Sequence, residues 1–234
     1  LLRLNNYNNL LLKTRNELDL TNFKKLEDFF KKEKPEIVID CAAVVGGILA
    51  NDKFPYDFLL RNMKIQNNLI EISNNFSVKK FIFLGSSCIY PKFAKQPISE
   101  DSLLTSQLEK TNEAYALAKI TGVKMCSYLK KHFNKDFVSL MPCNLYGIND
   151  NFDPGSSHVI PGMINKFHQA KENNKDVVLW GSGNPLREFL FVDDLAKIII
   201  EVIKSEIMKE SLYNVGSGIE ISIAELASLI SKIV

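Results

Sequence analysis

The sequence lacks a strong charge imbalance and any long apolar run. Its 234 residues include 29 lysines and arginines against 27 aspartates and glutamates, which leaves a net charge of +2. Such a small imbalance argues against nucleic acid or an anionic membrane as a binding partner. No apolar run approaches the roughly 20 residues that a membrane helix needs, and no signal peptide opens the chain. We therefore expect a soluble, cytoplasmic protein.

Paired cysteines are missing as well. The chain has four cysteines, far apart in sequence: Cys41, Cys88, Cys126 and Cys143. Their spacing matches neither a zinc site nor a disulfide framework, so we expect reduced thiols and no bound metal.

A glycine-rich turn is the third absence. No G-x-x-G-x-x-G fingerprint precedes the first apolar segment, residues 10–13, which we predict as a strand. In a dinucleotide-binding fold the pyrophosphate rests on such a turn and on the helix that it opens. The chain also begins with Leu1 and not with methionine. We therefore expect a fragment, in which residues 1–7 are the tail of that helix.

Strand-like and helix-like segments alternate along the whole chain. The predicted strands are residues 10–13, 37–43, 81–84, 137–141, 177–180 and 213–215. The predicted helices follow Thr21, cover residues 54–75, 112–132 and 193–205, and begin near His158 and Ser222. The apolar run 37–43 is typical of a central parallel strand buried on both faces. This alternation predicts an α/β fold with a Rossmann-like, doubly wound parallel sheet that lacks its first strand.

A serine, a tyrosine and a lysine form the first candidate site. Tyr115 and Lys119 are four residues apart and share one face of a predicted helix. A free tyrosine titrates near pH ~10, and a neighbouring ammonium favours the phenolate and lowers its pKa. Ser86 follows the strand 81–84, and ligands of open α/β sheets bind at the carboxyl ends of strands. These three side chains could polarise a carbonyl while a nicotinamide delivers hydride.

Further motifs follow in a fixed order: GSSCIYPK, KQPISE, TNEAYALAK, MPCNLYG, DNF, SSHVIP, WGSG and REFLFVDD. Together with the serine and the Y-x-x-x-K pattern, they resemble the short-chain dehydrogenase/reductase superfamily in its extended, sugar-nucleotide-modifying branch. Within that branch the series is similar to the GDP-L-fucose synthase family, and the resemblance covers nearly the whole chain.

The resemblance implies a reaction, a cofactor and a domain plan. The reaction is the NADPH-dependent 3,5-epimerisation and 4-reduction of GDP-4-keto-6-deoxy-D-mannose to GDP-L-fucose, carried out by a homodimer. Residues 1–147 would be a dinucleotide-binding domain. Residues 148–234 would be part of a smaller substrate-binding region interleaved with the sheet, and the natural protein would continue past Val234.

The resemblance also assigns roles to five catalytic residues. Tyr115 would donate a proton, Lys119 would tune it and bind the nicotinamide ribose, and Ser86 would bind the reacting oxygen. Cys88 and His158 would be the acid and base of epimerisation, because a thiolate and an imidazole can each titrate near neutrality. Which of the two acts as base at each carbon stays open. A lone cysteine is more often a small buried apolar residue, and a lone histidine is often a cap or a surface group.

The remaining predictions concern cofactor and substrate contacts. Arg15 closes the strand 10–13, where an arginine suits the 2′-phosphate of NADP, although a simple surface arginine is the alternative. The resemblance adds further cofactor-lining residues: Leu84, Gly85, Ser86, Ser87, Pro142, Cys143, Asn144, Leu145 and His158. Arg187 would bind the substrate diphosphate as a planar, bidentate cation. Lys166 stands where the family often has arginine, and Trp180 would line the same pocket or pack in the core.

Two other functions compete with this prediction. One is another extended sugar-nucleotide enzyme, a 4-epimerase or 4,6-dehydratase, which would hold NAD tightly and recycle it. The other is a non-catalytic binding module or truncated remnant, which the absent glycine-rich turn favours.

Overall fold

The computed structural model describes all residues of the chain, 1–234. Its seven strands are β1 (Ile37–Asp40), β2 (Lys80–Leu84), β3 (Asp136–Pro142), β4 (Asn144–Tyr146), β5 (Leu186–Phe191), β6 (Leu212–Val215) and β7 (Glu220–Ser222). Its seven α-helices are α1 (Phe23–Glu33), α2 (Ile48–Lys53), α3 (Pro55–Asn75), α4 (Glu113–Phe133), α5 (Val159–Glu172), α6 (Val192–Lys204) and α7 (Ile223–Ile233). None of the helices is long and apolar enough to cross a membrane.

The main sheet is parallel and has the order β1-β2-β3-β6. Side chains alternate along β2: Phe81 and Phe83 belong to the apolar cluster that includes residues of α1, α3 and α4, whereas Ile82 belongs to the cluster built with α6. Both faces of the sheet are therefore covered by helices, as period-2 alternation in a doubly wound sheet requires. The predicted fold class is confirmed.

A second, smaller sheet was not predicted. It has the order β4-β5-β7, with β4 parallel and β7 antiparallel to β5. Helices α5 and α7 pack nearby through a small apolar cluster that includes Met163 and Leu226. Strands β4 and β7 have only three residues each, too few for a repeating pattern in the sequence. The division of the chain at residue 147 stays a prediction.

Three of the predicted strands differ in the structure. Residues 10–13 and 177–180 form no strand, and Leu12 and Val178 are largely exposed. An apolar segment becomes a strand only when a neighbouring strand takes up its backbone hydrogen bonds, and neither segment has one. The run 37–43 ends as a strand at Asp40 and lies at the edge of the sheet, paired only with β2. The prediction of a central strand buried on both faces was wrong.

Candidate active site

Ser86 and Cys88 lie together just beyond the carboxyl end of β2. The N–H of Gly85 continues the ladder by donating to the Leu140 carbonyl at 2.9 Å, and a Cβ at Gly85 would come within 2.0 Å of the Met141 Cε atom. Only glycine fits that approach without displacing the side chain. The chain then turns in a short 3₁₀ helix, Ser87–Ile89, in which the N–H of Cys88 donates to Ser86 Oγ at 3.4 Å.

Helix α4 brings Tyr115 and Lys119 to the same end of β2. The helix lies close to the sheet, since a Cβ at Gly122 would come within 2.6 Å of the Phe83 ring. Lys119 is only 3% exposed. Its Nζ donates to the Leu84 carbonyl at 2.9 Å and lies 4.7 Å from the centre of the Phe83 ring and 5.9 Å from that of Tyr115. The structure thus brings Ser86, Tyr115 and Lys119 to the carboxyl end of β2, the location expected from the sequence.

Burial dominates the electrostatics of this cluster. It lowers the pKa of Lys119, against the opposing charges of Asp40, Cys88 and Cys41. It raises the pKa of Tyr115, and Cys88 and Asp40 raise it further. The expected lowering of the Tyr115 pKa by Lys119 is therefore not seen, because the ammonium is bonded to the Leu84 carbonyl and the phenol is desolvated. Tyr115 keeps its proton at neutral pH, as a proton donor must.

Cys88 is also held mainly as a thiol. Desolvation raises its pKa, while the hydrogen bond with Ser86 and the positive charge of Lys119 lower it. The cation that acts on the thiol is thus the catalytic lysine candidate. Formation of a thiolate there depends on the charge of Lys119.

The segment that carries His158 reaches the same region through a loop. Phe58 packs edge-on against Tyr115, with the ring centres 6.4 Å apart, and its ring lies 3.2 Å from the Cβ position of Gly46. The next residue, Gly47, has its Cβ position 3.4 Å from the Ser157 carbonyl. His158 follows as the exposed residue that precedes α5.

Two of the predicted substrate contacts lie side by side on the surface. Trp180 is 76% exposed, so the alternative of a core tryptophan was wrong. The Nζ of Lys166 lies 4.7 Å from the centre of the Trp180 ring, within cation–π range. Arg187 is exposed on β5 and donates from Nη1 to the Leu186 carbonyl at 2.7 Å, without a bond to the other two.

The predicted cofactor-lining residues fall into two groups. Leu84, Gly85, Ser86 and Ser87 surround the end of β2, and Pro142, Cys143, Asn144 and Leu145 follow β3 into β4. The Asn144 amide already donates to the Glu188 carbonyl at 2.9 Å and joins β4 to β5. Arg15 is exposed in the turn 15–17.

Sequence reasoning missed two buried polar residues at the site. Asn62 fixes the loop after β1: it accepts from the Val44 N–H at 2.7 Å and donates to the Val44 carbonyl at 3.0 Å. Asp40 is 2% exposed at the end of β1. The signal for Asp40 was an acidic residue inside an otherwise apolar run, IVIDCAA.

The lysine fits a hydroxyl-bearing ligand such as a cofactor ribose. An ammonium has three N–H donors, and Lys119 uses one of them, on the Leu84 carbonyl. A buried ammonium with unused donors is costly unless a ligand takes them up. The residues present therefore suit a dinucleotide at this edge of the sheet.

A doubly wound parallel sheet with serine, tyrosine and lysine at the end of one strand defines an oxidoreductase of the short-chain dehydrogenase/reductase type. Residues 2–216 match the model of the NAD dependent epimerase/dehydratase family. The chain belongs to that family, which confirms the predictions of an enzyme and of a nicotinamide cofactor.

Individual relatives refine this placement. The chain is 54% identical over 229 residues to a putative GDP-L-fucose synthase 2 of Arabidopsis thaliana, covering 97% of this chain and 70% of that protein. It is 48% identical over 234 residues to the GDP-L-fucose synthase of Escherichia coli, covering 96% and 73%. A GDP-L-fucose synthetase from Naegleria fowleri bound to NADP superimposes with a TM-score of 0.85 at 31% identity, covering 95% and 68%. The resemblance stated from the motifs is confirmed.

Proposed function

We propose that the protein converts GDP-4-keto-6-deoxy-D-mannose to GDP-L-fucose by 3,5-epimerisation followed by NADPH-dependent 4-reduction. The observation that carries the proposal is the placement of Cys88 beside Ser86, within the field of Lys119. A reductase alone needs the serine, tyrosine and lysine but has no use for an acid/base thiol at the same strand end. The names and cofactor of the relatives support the same reaction.

Epimerisation uses the substrate ketone as its activating group. The 4-keto group acidifies the C–H bonds at C3 and C5, so one side chain can remove a proton and another can return one to the opposite face. Cys88 and His158 are the candidates for this exchange. The ketone must persist until both centres have been inverted, which explains why reduction comes last and why one pocket serves both steps.

Reduction uses the buried tyrosine and lysine. When bound, NADPH supplies the hydride. Tyr115, whose pKa is raised by burial, gives its proton to the developing alkoxide at C4, and Ser86 donates a hydrogen bond to the same oxygen. Lys119 offers its two unused N–H donors to ribose hydroxyls, and its charge stabilises the phenolate that is left on Tyr115. Arg15 is proposed to favour NADP over NAD, because its guanidinium would bind the 2′-phosphate that distinguishes NADP.

The sugar nucleotide is proposed to bind across the smaller sheet. Arg187 is exposed there and can turn its planar guanidinium to a diphosphate. Lys166 and Trp180 together present a cation and an aromatic face, which suits a charged nucleotide. Lysine keeps the charge of the family's arginine at position 166 but loses its bidentate geometry.

The decisive test is isotope exchange. In heavy water without NADPH, we expect deuterium to enter C3 and C5 of GDP-4-keto-6-deoxy-D-mannose, as measured by mass spectrometry and NMR. Cys88→Ser and His158→Asn should each abolish this exchange, because each removes one of the two groups proposed to move a proton at C3 and C5. Cys126→Ser, which makes the same change at a buried cysteine of α4 outside the candidate site, is the control for Cys88→Ser. His168→Asn, a substitution on an exposed face of α5, is the control for His158→Asn.

Exchange that survives both active-site substitutions would refute the epimerase. NADPH oxidation without any exchange would indicate a reductase only. The absence of both activities would support the non-catalytic alternative.

We further propose a homodimer formed through α3 and α4. Leu117 and Tyr128 are 43% and 57% exposed and eleven positions apart, close to three helical turns, so they share one face of α4. Sedimentation velocity should show a dimer, and the double substitution Leu117→Glu with Tyr128→Glu should yield monomers. Leu229→Glu, at an exposed leucine of α7, is the control and should stay dimeric. A monomeric wild-type protein would refute the proposal.

A further inference from the structure

Asp40 is a buried carboxylate with half of its hydrogen-bonding capacity unused. It ends β1 and is 2% exposed. Its Oδ1 atom accepts from the Ala42 N–H at 3.0 Å, whereas its buried Oδ2 atom has no hydrogen-bond partner. Such a group is costly to bury and rarely persists without a compensating role.

The strand register places Asp40 next to the lysine. Asp40 pairs with Phe83 of β2, so the two side chains project from the same face of the sheet. Lys119 lies over that face, with its Nζ 4.7 Å from the centre of the Phe83 ring. Its hydrogen bond goes to the carbonyl of the next residue, Leu84. Asp40 and Lys119 therefore both adjoin Phe83 on one face of the sheet. Their opposite charges act on each other without a direct ion pair.

Their mutual effect is visible in both side chains. Desolvation raises the pKa of Asp40 to about 6, and the charge of Lys119 acts against that rise. Desolvation lowers the pKa of Lys119, and Asp40 is the foremost of the groups that oppose it, ahead of Cys88 and Cys41. The charge of Asp40 also raises the pKa values of Tyr115 and Cys126, both on α4. No other cation offsets Asp40.

We propose that Asp40 is a positioning residue of the active site, whose buried carboxylate holds Lys119 in its charged and oriented form beside Ser86 and Tyr115. The inference rests on the proposed function for its catalytic consequence, but the effect on Lys119 is a property of this chain alone. Without a counter-charge, a lysine this deeply buried loses its proton more readily. A neutral Lys119 could not stabilise the Tyr115 phenolate or lower the pKa of Cys88.

The sign of the pH effect follows from the two groups. Above about pH 6 Asp40 is ionised and raises the pKa of Lys119, so Lys119 keeps its charge to higher pH than it would alone. Activity that needs the charged lysine is then lost as pH rises through the pKa of Lys119. Removal of the carboxylate must move that loss to lower pH.

The test replaces Asp40 and measures the titration of Lys119. Asp40→Asn keeps the size of the side chain and its acceptor for the Ala42 N–H but removes the charge. With isotope-labelled lysine, NMR follows the ammonium of Lys119, assigned by the disappearance of its signal in Lys119→Arg. We expect its titration midpoint to fall by about one pH unit in Asp40→Asn, and the alkaline limb of NADPH oxidation to move in the same direction. Asp40→Glu should restore most of both shifts.

Asp194→Asn, which removes a half-exposed carboxylate on α6, is the matched control and should leave Lys119 unchanged. A Lys119 midpoint that is the same in the wild type and in folded Asp40→Asn would overturn the proposal. A wild-type protein that neither epimerises nor reduces the sugar nucleotide would remove the proposed function, while the Lys119 titration would still decide the role of Asp40.

Discussion

Tyr115→Phe is expected to lower the rate of 4-ketone reduction by roughly 10²–10⁴-fold, the range for loss of a general acid. The phenylalanine keeps the ring against Phe58 and removes only the hydroxyl that carries the transferred proton. Because epimerisation is proposed to use Cys88 and His158, deuterium exchange at C3 and C5 should continue in the same variant. The product should then be an epimerised ketone that is not reduced.

The two activities are measured separately, reduction by NADPH oxidation and epimerisation by deuterium uptake. Tyr128→Phe on the same helix is the control and should keep both rates. It retains the ring on the face proposed for the dimer and removes only a hydroxyl, far along α4 from the site. If Tyr115→Phe reduced the ketone at the wild-type rate, another group would have to be the acid. If Tyr115→Phe lost exchange as well, the assignment of epimerisation to Cys88 and His158 without Tyr115 would be wrong.

Asp136→Ala is expected to cost about 3–5 kcal/mol in the free energy of unfolding, the range for breaking a buried ion pair. Asp136 Oδ2 lies 3.1 Å from Lys80 Nζ, and the two side chains are 9% and 6% exposed. Lys80 also donates to the carbonyls of Val202 and Ser205 at the end of α6. Removal of the carboxylate leaves a buried ammonium without its counter-charge at the junction of sheet and helix.

Urea unfolding monitored by circular dichroism measures the loss, and the chain supplies its own control. Lys79, the neighbour of Lys80, pairs with Glu36 at 2.8 Å, but these side chains are 72% and 71% exposed. Glu36→Ala should therefore cost no more than about 1 kcal/mol. Equal costs for the two substitutions would show that burial does not decide the strength of these pairs.

Local patterns in the sequence were sufficient for six of the seven α-helices, all but α2, and for the strands of the interior. Helices α3 and α4 begin and end within one or two residues of their predicted bounds, because apolar periodicity and flanking polar residues act over short distances. β2 and β3 were predicted for the same reason. Both are largely buried and have strand neighbours on each side.

Pairing partners could not be found in the same way. Residues 10–13 and 177–180 have the composition of strands but no neighbouring strand, and β4 and β7 exist only because β5 lies between them. A strand is stabilised by hydrogen bonds to residues distant in sequence. No property of the segment itself reports whether that neighbour is present.

Sequence and tertiary structure likewise each determined a part of the candidate site. The order of Ser86, Cys88, Tyr115 and Lys119, with the motifs around them, determined the family and the candidate chemistry, because these depend on residue identity and spacing. The tertiary structure decided their charge states and their neighbours. It buried Tyr115 and Cys88 enough to raise both pKa values, exposed Trp180, and brought both Asp40 and Lys119 next to Phe83. Desolvation and charge pairing depend on what surrounds a group in space, and strands β1 and β2 bring together residues that are more than forty positions apart.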